Sequence, residues 1–171
     1  WEAIQSGFDD ALKEMPLKKQ RLLKLALSNS GSYKLALRKL RGFLIINVSY
    51  YQRLFALLEV GFRFPLHLLS ASFLWPKVLN KLCGGRLTFP ISGGGAIAPH
   101  VDAFFESLGV ELLVGYGLTE TSPVISCRRP WRNVRGSSGY PLPETEFRIV
   151  DPESKAHKRI NERGLVLVRG P

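Results

Sequence analysis

Two glycine-rich segments carry the residues best suited to chemistry in this chain. The first is Ser92-Gly93-Gly94-Gly95-Ala96, and the second is Gly115-Tyr116-Gly117-Leu118-Thr119-Glu120-Thr121. Three consecutive glycines leave the backbone bare, so a flat ring can lie against it and use its peptide groups. In the second segment Tyr116 offers an aromatic wall, Thr119 a hydroxyl for a phosphate, and Glu120 a carboxylate for a magnesium ion. Together they supply the parts of a nucleotide site.

Each of these features alone also has a plain structural explanation. A glycine triplet is usually a turn, a Thr-Glu pair commonly starts a helix as part of a capping pattern, and a tyrosine at a strand end often only packs. The combination carries the argument, because both segments follow predicted strands and ligands collect at the carboxyl ends of parallel strands. We therefore expect the two segments to lie side by side and form one concave wall.

The elements that position these segments are predicted to be two strands joined by a helix. Apolar runs at 87–91 and 110–114 indicate the strands, and Pro99 and Gly109 suit the two ends of a helix between them. This pattern is typical of a βαβ unit in a largely parallel sheet. Strand signals at 146–150 and 164–169, separated by the turn residues Asp151-Pro152-Glu153-Ser154, predict a hairpin-like tail.

The N-terminal part of the chain is predicted to be helical. Apolar residues at helical spacing between Glu2 and Gly42 indicate two helices, interrupted at Ser28-Asn29-Ser30-Gly31, with Ser32 capping the second helix and Gly42 ending it. The predicted class is therefore α/β, with a helical segment at 1–86 and an α/β segment at 87–171. Both are expected to belong to one incomplete domain.

A third helix is predicted from Ser49 to Gly61. The run that follows, Pro65–Trp75, carries no charge apart from a proton that His67 can accept. It is shorter than the roughly 20 residues of a spanning helix, so we interpret it as buried or, at most, in contact with a lipid surface. His67 is interpreted as a core histidine without a catalytic role.

The net charge of +10 favours anionic partners. Much of the excess lies in the early helices, where Leu35, Ala36 and Leu40 are predicted to face one side, with Lys34, Arg38 and Arg41 largely elsewhere on a solvated face. A basic module that binds nucleic acid or a membrane surface remains an alternative on this evidence. Cys83 and Cys127 lack the spacing of a metal site or a disulfide framework, which favours two reduced thiols in a cytosolic-type environment.

The order and spacing of the motifs resemble the adenylate-forming acyl synthetases. That family has a Gly-Gly-Ala loop, then Tyr-Gly-x-Thr-Glu, then Gly-x-Pro-x-Pro and a closing Gly-x-x-x-Val-x-Gly-Pro strand. This chain shows, in the same order, Gly94-Gly95-Ala96, Tyr116 to Glu120, Gly139 to Pro143 and Gly164 to Pro171. Trp1-Glu2 resembles the long-chain fatty acid branch. The strings Ser92 to Gly95 and Val114 to Arg129 look most similar to cyanobacterial and plastid acyl-acyl-carrier-protein or acyl-CoA synthetases.

The resemblance implies roles for individual residues. Gly94, Gly95 and Ala96 would flank the adenine, and Gly115 and Tyr116 would line the boundary between adenine and acyl group. Gly117 and Leu118 would complete this nucleotide-binding segment. As catalytic residues, Thr119 would contact the phosphate and Glu120 would bind Mg²⁺. Glu144 stands where the family usually has glycine. A turn that favours a positive φ is therefore expected to have a bulky glutamate side chain at this position.

The resemblance also implies an activity and its partners. A fragment of the large N-terminal domain of a long-chain fatty acid ligase would use ATP and Mg²⁺, with CoA or acyl carrier protein as the thiol acceptor and no nucleic acid partner. The expected location is cytoplasmic or a plastid-type compartment, with peripheral membrane contact. Adenylation of an aryl or amino acid is the alternative within the same chemistry. The family's phosphate loop is expected before Trp1, and its ribose-binding Asp, hinge and catalytic Lys after Pro171, so this chain alone should be inactive.

Overall fold

The computed structural model describes residues 1–121 and 123–170, which form five α-helices and six short strands. A π-helical turn at Ser70–Leu74 joins two of the helices, and a 3₁₀ turn at Thr119–Thr121 joins two of the strands. In chain order the elements are α1 (Glu2–Lys13), α2 (Leu17–Arg41), α3 (Tyr50–Leu69), α4 (Trp75–Cys83), β1 (Ile91–Ser92), α5 (Pro99–Ser107), β2 (Leu113–Gly117), β3 (Val124–Cys127), β4 (Tyr140–Pro141), β5 (Glu146–Val150) and β6 (Leu165–Arg169).

Helix α5 lies at the centre of the hydrophobic core. Its Val101 and Phe105 are fully shielded from solvent, and the ring of its Phe104 packs 5.1 Å from that of Phe8 in α1. Trp75 at the start of α4 belongs to the same buried cluster, together with apolar residues of α2. The α/β class is confirmed, and one core joins the helical part to the βαβ unit. The division at residues 86 and 87 stays a prediction about domain organisation.

Helix α2 corrects the prediction of a break at Ser28-Asn29-Ser30-Gly31. The helix runs unbroken from Leu17 to Arg41 and ends at Gly42, with φ 70°, so only the predicted end is confirmed. Because Ser32 lies inside this helix, it does not cap one. Small residues at 28–31 permit close packing instead. A Cβ at Gly31 would lie 3.0 Å from the Ser107 hydroxyl oxygen of α5, and the Ser30 hydroxyl accepts a hydrogen bond from Trp75 Nε1 at 3.1 Å.

Helix α3 is longer than predicted, and much of the uncharged run Pro65–Trp75, which begins inside it, is exposed. Ser49 caps it in a reciprocal capping box with Gln52, which confirms the predicted start. The predicted end at Gly61 is wrong, because the helix continues past it and through the π-helical turn into α4. His67 is buried as predicted, stacked on Tyr33 with its Nδ1 3.0 Å from Ser30 Oγ. The apolar residues around it that are exposed are Leu66, Leu68, Leu69 and Phe73. Burial therefore does not hold for the whole run, and the alternative of contact with a lipid surface stays a prediction.

Length alone does not exclude a membrane crossing for this region. The continuous helical segment Tyr50–Cys83 has 34 residues and contains an 18-residue window of mean hydropathy 1.4, of which 17% is buried. By length and composition it is long and apolar enough to span, although the run at Pro65–Trp75 by itself is not. The same composition also occurs in core helices of soluble proteins.

The sheet confirms the βαβ unit and corrects its surroundings. Strands β1 and β2 pair in parallel with Ser92 opposite Val114, and α5 makes the connection. Strands β2 and β3, and then β3 and β4, pair antiparallel, so a largely parallel sheet was a wrong prediction for the described residues. The reason is the tight 3₁₀ turn after β2, which returns the chain at once, whereas a parallel pair needs a long crossover. Strand β1 is also shorter than predicted: it covers only Ile91–Ser92, and Leu87 and Phe89 before it are exposed.

The tail forms the predicted hairpin. Strands β5 and β6 pair antiparallel from Glu146 opposite Arg169 to Val150 opposite Leu165. The carboxylate of Asp151 accepts hydrogen bonds from the backbone N–H groups of Glu153 and Ser154, both at 3.1 Å, which fixes the turn. Lys158 also donates to this carboxylate, and these contacts together hold the pKa of Asp151 far below its usual range.

Candidate functional site

The two glycine-rich segments form adjoining walls of one cleft of about 370 Å³. The parallel register of Ser92 with Val114 brings the ends of β1 and β2 together, so the loop after each strand leaves from the same edge. This arrangement confirms that the segments lie side by side and share a concave surface. Their lining residues are Gly94, Gly95, Ala96, Ile97, Val114, Gly115, Tyr116 and Gly117.

Bare backbone on both walls gives this cleft its shape. A Cβ added at Gly94 or Gly95 would meet no atom within 4 Å, so a side chain there would extend into open space. On the adjoining wall, a Cβ at Gly115 would make only ordinary contacts, with Val124 Cγ1 at 3.8 Å, Ser92 O at 3.9 Å and Ser126 O at 4.0 Å. The cleft therefore leaves room for a flat group against bare peptide backbone, and half-buried Tyr116 also lines it.

The rest of the Tyr-Gly-Leu-Thr-Glu segment points away from this cleft. Leu118, Thr119 and Glu120 are exposed and do not line it. The hydroxyl of Thr121 fixes their turn, because it accepts from Leu118 N at 3.0 Å and contacts the Leu118 and Pro123 carbonyls. Glu120 borders a second cleft of about 420 Å³ beside the β5–β6 hairpin. Of the predicted site residues, Glu120 thus borders a different cleft from the glycines and Tyr116, while Leu118 and Thr119 line neither. The roles of all these residues stay predictions.

A metal ion would have few protein ligands here. Within residues 1–121 and 123–170, no group of three or more His, Cys, Asp or Glu side chains is placed to hold a metal ion. Mg²⁺ commonly keeps several waters and binds one or two carboxylates together with substrate phosphates. The single exposed carboxylate of Glu120 fits that donor set, with the remaining ligands coming from phosphate and water.

The opposite side of the glycine cleft contains residues that sequence reasoning missed. Arg128 and the loop Gly136-Ser137-Ser138 complete its lining. The loop follows the strand end at Cys127 by several residues, so spacing alone did not connect it to the site. A usable signal was present in the string Gly-Ser-Ser-Gly at 136–139, because small residues between strands often mark a close approach of backbone.

Behind the cleft lies a buried network of charges on α5. Asp102 Oδ2 accepts from Arg128 Nη1 at 2.7 Å, and one turn along the helix Glu106 accepts from Arg38 Nε at 2.8 Å. Arg135 bridges the pair, donating to Glu106 and lying 3.8 Å from Asp102. Burial lowers the pKa of the Arg135 guanidinium, and the negative charges of Glu106 and Asp102 offset part of this shift. Arg38 is thus buried in an ion pair, so its predicted place on a solvated face was wrong.

The family model described as "AMP-binding enzyme" matches residues 29–171 of this chain. The chain belongs to this family of AMP-binding enzymes. The match includes both glycine-rich segments and both clefts. Of the structural features described above, only α1 and the first half of α2 lie before it.

The curated relatives of this AMP-binding chain include proteins named as acyl-activating enzymes and fatty acid ligases. It is 44% identical over 124 residues to the probable acyl-activating enzyme 16, chloroplastic, of Arabidopsis thaliana. It is 43% identical over 124 residues to a chloroplastic long-chain-fatty-acid–[acyl-carrier-protein] ligase of the same plant. Each match covers 72% of this chain and 17% of the relative, so the chain spans about a sixth of the length of these proteins.

Among solved structures, an anthranilate CoA ligase in complex with anthranoyl-AMP is 30% identical to this chain, with a TM-score of 0.49. The alignment covers 58% of this chain and 19% of that ligase.

Proposed function

We propose that this chain is part of an AMP-forming acid–thiol ligase that activates long-chain fatty acids. The observation that carries the proposal is the cleft that Gly94-Gly95-Ala96 and Gly115-Tyr116-Gly117 line together, within a chain that belongs to the AMP-binding enzymes. The fatty acid is inferred from the name of the plant ligase, which is 43% identical over its matched region. Because the chain covers a small part of its relatives, activity and substrates belong to the complete protein.

In this proposal the backbone of Gly94, Gly95 and Ala96 lies against the adenine of ATP. The open space beside Gly94 and Gly95 supports that role, since neither residue has a side chain to block it. Gly115 and Tyr116 then lie where adenine and acyl group meet, because they form the adjoining wall of the same cleft. Gly117 and Leu118 carry the backbone on toward the second cleft.

The proposed chemistry has two steps. A carboxylate oxygen of the fatty acid forms a bond to the α-phosphorus of ATP, and the bond from that phosphorus to pyrophosphate breaks. The thiol of CoA or an acyl carrier protein then loses its proton to solvent, its sulfur attacks the acyl carbon, and AMP leaves with the electron pair of the broken C–O bond. Thr119 offers a hydroxyl to the phosphate, and Glu120 would hold Mg²⁺. When bound, the ion supplies positive charge that offsets the charge developing on the phosphate oxygens.

The names of the relatives support the thiol acceptor and the compartment in this proposal. A plastid-type compartment fits the two chloroplastic relatives, and an acyl carrier protein as acceptor fits the one named as an acyl-carrier-protein ligase. CoA fits a long-chain-fatty-acid–CoA ligase of Schizosaccharomyces pombe that is 40% identical over 102 residues. Peripheral contact with a membrane fits the exposed apolar residues of α3. A nucleic-acid-binding module is not favoured, because the basic α2 is tied into the core next to the cleft through Arg38.

The decisive experiment is fatty-acid-dependent exchange of pyrophosphate into ATP by the complete protein, comparing wild type with Glu120→Ala. We expect the variant to fold normally and to lose about 100-fold or more of the exchange, since a charge-stabilising contact is worth that much in related chemistry. Its side chain is exposed and makes no hydrogen bond in the described structure, which is why folding should be unaffected.

Glu153→Ala is the matched control, because this glutamate is equally exposed but lies in the turn between β5 and β6. It should leave exchange unchanged. Exchange by Glu120→Ala at wild-type rates under limiting Mg²⁺ would remove the residue from the metal role. A wild-type protein without any acid-dependent exchange would refute the proposed function as a whole.

A further inference from the structure

Arg128 connects three elements around the glycine cleft. It follows β3 directly, and its backbone N–H donates to the Val114 carbonyl of β2 at 2.9 Å. Its side chain donates from Nη1 to Asp102 Oδ2 of α5 and from Nε to the Ser137 carbonyl, both at 2.7 Å. Val114, Arg128 and Ser137 all line the cleft. One buried residue therefore ties the floor of the cleft to the helix behind it and to the loop that forms its far wall.

The loop at 136–138 depends on side-chain contacts for its position. It contains no helix or strand, and Gly136 has a φ of 85°. Besides the bond from Arg128, the Ser138 carbonyl accepts from the Ser126 hydroxyl at 2.9 Å. Both anchors come from β3 or the residue after it. Ser137 also bonds the Val134 carbonyl, through its N–H at 3.2 Å and its hydroxyl at 2.8 Å, but Val134 belongs to the same connecting segment. The bonds from Arg128 and Ser126 are the ones that hold the loop against the strands lining the cleft.

Stability alone is a weak explanation for a charged anchor at this place. Arg128 and Asp102 are nearly fully buried, and the cost of removing two charges from water offsets much of their attraction. What arginine adds is a planar fork that donates in two fixed directions at once. Here the fork spans from α5 to the loop, which a lysine ammonium cannot reproduce with the same geometry.

We propose that Arg128, supported by Asp102, is a positioning residue that holds the loop 136–138 at the spacing required for the adenine ring of ATP. The inference rests on the proposed function, which places adenine against Gly94-Gly95-Ala96 across the cleft. Arg128 acts through the loop and through the shape of the cleft.

The test compares Arg128→Lys with Arg38→Lys in the complete protein. Arg38 is the matched control, because it is equally buried and pairs with Glu106 one turn along α5, but it does not line the glycine cleft. Both variants should lower the melting temperature by similar amounts. Only Arg128→Lys should raise the KM for ATP in pyrophosphate exchange, and the Kd for ATP in calorimetry, by about tenfold, since small displacements of a positioning group have large effects. Its kcat should stay within about twofold of wild type.

Ser126→Ala provides a milder variant in case Arg128→Lys fails to fold. It removes one hydrogen bond to the loop, so we expect the Kd for ATP to rise about twofold to threefold at a nearly unchanged melting temperature. Equal effects of the two lysine variants on the Kd for ATP, or an unchanged Kd in Ser126→Ala, would overturn the positioning role. If wild type binds ATP without acid-dependent exchange, the proposed function fails, and the Kd values still decide the role of Arg128.

Discussion

The two glycine-rich segments, which form adjoining walls of the cleft, each contain one glycine that the backbone requires and one that it does not. On the first wall Gly94 has a φ of 80°, a conformation that side chains rarely adopt, whereas Gly95 has an ordinary φ and open space around it. On the second wall a Cβ at Gly117 would lie 2.8 Å from the Val124 Cα and overlap the Pro123 carbonyl, whereas Gly115 has room for one. The fold therefore requires glycine at Gly94 and Gly117 but not at Gly95 and Gly115.

This difference separates folding from function at neighbouring positions. A glycine that the chain needs for its own path indicates nothing about a ligand. A glycine with an ordinary φ and free space has no structural reason to lack a side chain, and in a strand it costs stability. Gly95 and Gly115 are such residues, and both line the cleft. They are therefore the glycines through which the nucleotide hypothesis is best tested.

The largest expected effect is on folding and concerns Gly117→Ala. The added methyl group would overlap the backbone of the β2–β3 turn, which cannot give way as a flexible side chain can. We expect the free energy of unfolding of the complete protein to fall by at least about 3 kcal/mol, at the upper end for overpacking. Chemical denaturation measures it.

Gly115→Ala is the matched control in the same strand, because its Cβ would make only ordinary contacts. It should be neutral or stabilising by about 0.5 kcal/mol. Similar losses in the two variants would show that the distinction between the two kinds of glycine is wrong.

The next effect is on substrate selection and concerns Gly115→Leu. A leucine at this wall would extend into the space assigned to the start of the acyl chain, so long acyl chains should lose much more activity than short ones. Each methylene excluded from an apolar channel forfeits about 0.8 kcal/mol, which makes a 100-fold change in relative rate reachable with about four methylenes. The measurement is the rate of acyl-adenylate formation by the complete protein on a series of fatty acids.

A melting curve accompanies this series to show that the variant is folded. The structure already weakens the explanation that Gly115 only satisfies a backbone angle, since its φ is ordinary. A uniform loss for every chain length would nevertheless count against the acyl channel and favour a general disturbance of the cleft.

The sequence was most informative where local chemistry decides the structure. The meeting of the two glycine-rich segments followed from a strand, helix and strand in succession, and the hairpin followed from alternation around Asp151-Pro152-Glu153-Ser154. Positive φ at Glu144, where the family usually has glycine, was also expected, and the structure has it at 65°. These features depend on turn residues and on short-range order in the chain.

Predictions failed where distant contacts override local preference. Serine, asparagine and glycine at 28–31 are poor helix formers, yet here they continue a helix. Tertiary contacts explain this, because Ser30 accepts a hydrogen bond from Trp75 and the missing side chain of Gly31 lets Ser107 pack close to the helix. The partners lie more than 40 residues away along the chain. Arg38 was misplaced for the same reason, since its carboxylate partner is Glu106. Neither partner is visible from the spacing of apolar residues.

The smallest expected effect tests the converse case, a side chain where the backbone favours glycine. Leu142, Pro143, Glu144 and Thr145 form a turn closed by a hydrogen bond from Thr145 N to the Leu142 carbonyl at 3.2 Å. With proline second and a positive φ third, it has the character of a type II turn, which prefers glycine at the position of Glu144. Glu144→Gly should therefore relieve the strain of the left-handed conformation, estimated at about 1 to 2 kcal/mol. Greater freedom of glycine in the unfolded chain offsets part of this gain, so we expect a net stabilisation of about 0.5 kcal/mol in chemical denaturation.

Glu153→Gly is the control, because Glu153 is an exposed turn residue without positive φ. This substitution should lower the free energy of unfolding by a few tenths of a kcal/mol. If both substitutions destabilise the protein equally, Glu144 is held in its conformation without strain, and φ alone does not identify the glycines that the fold requires.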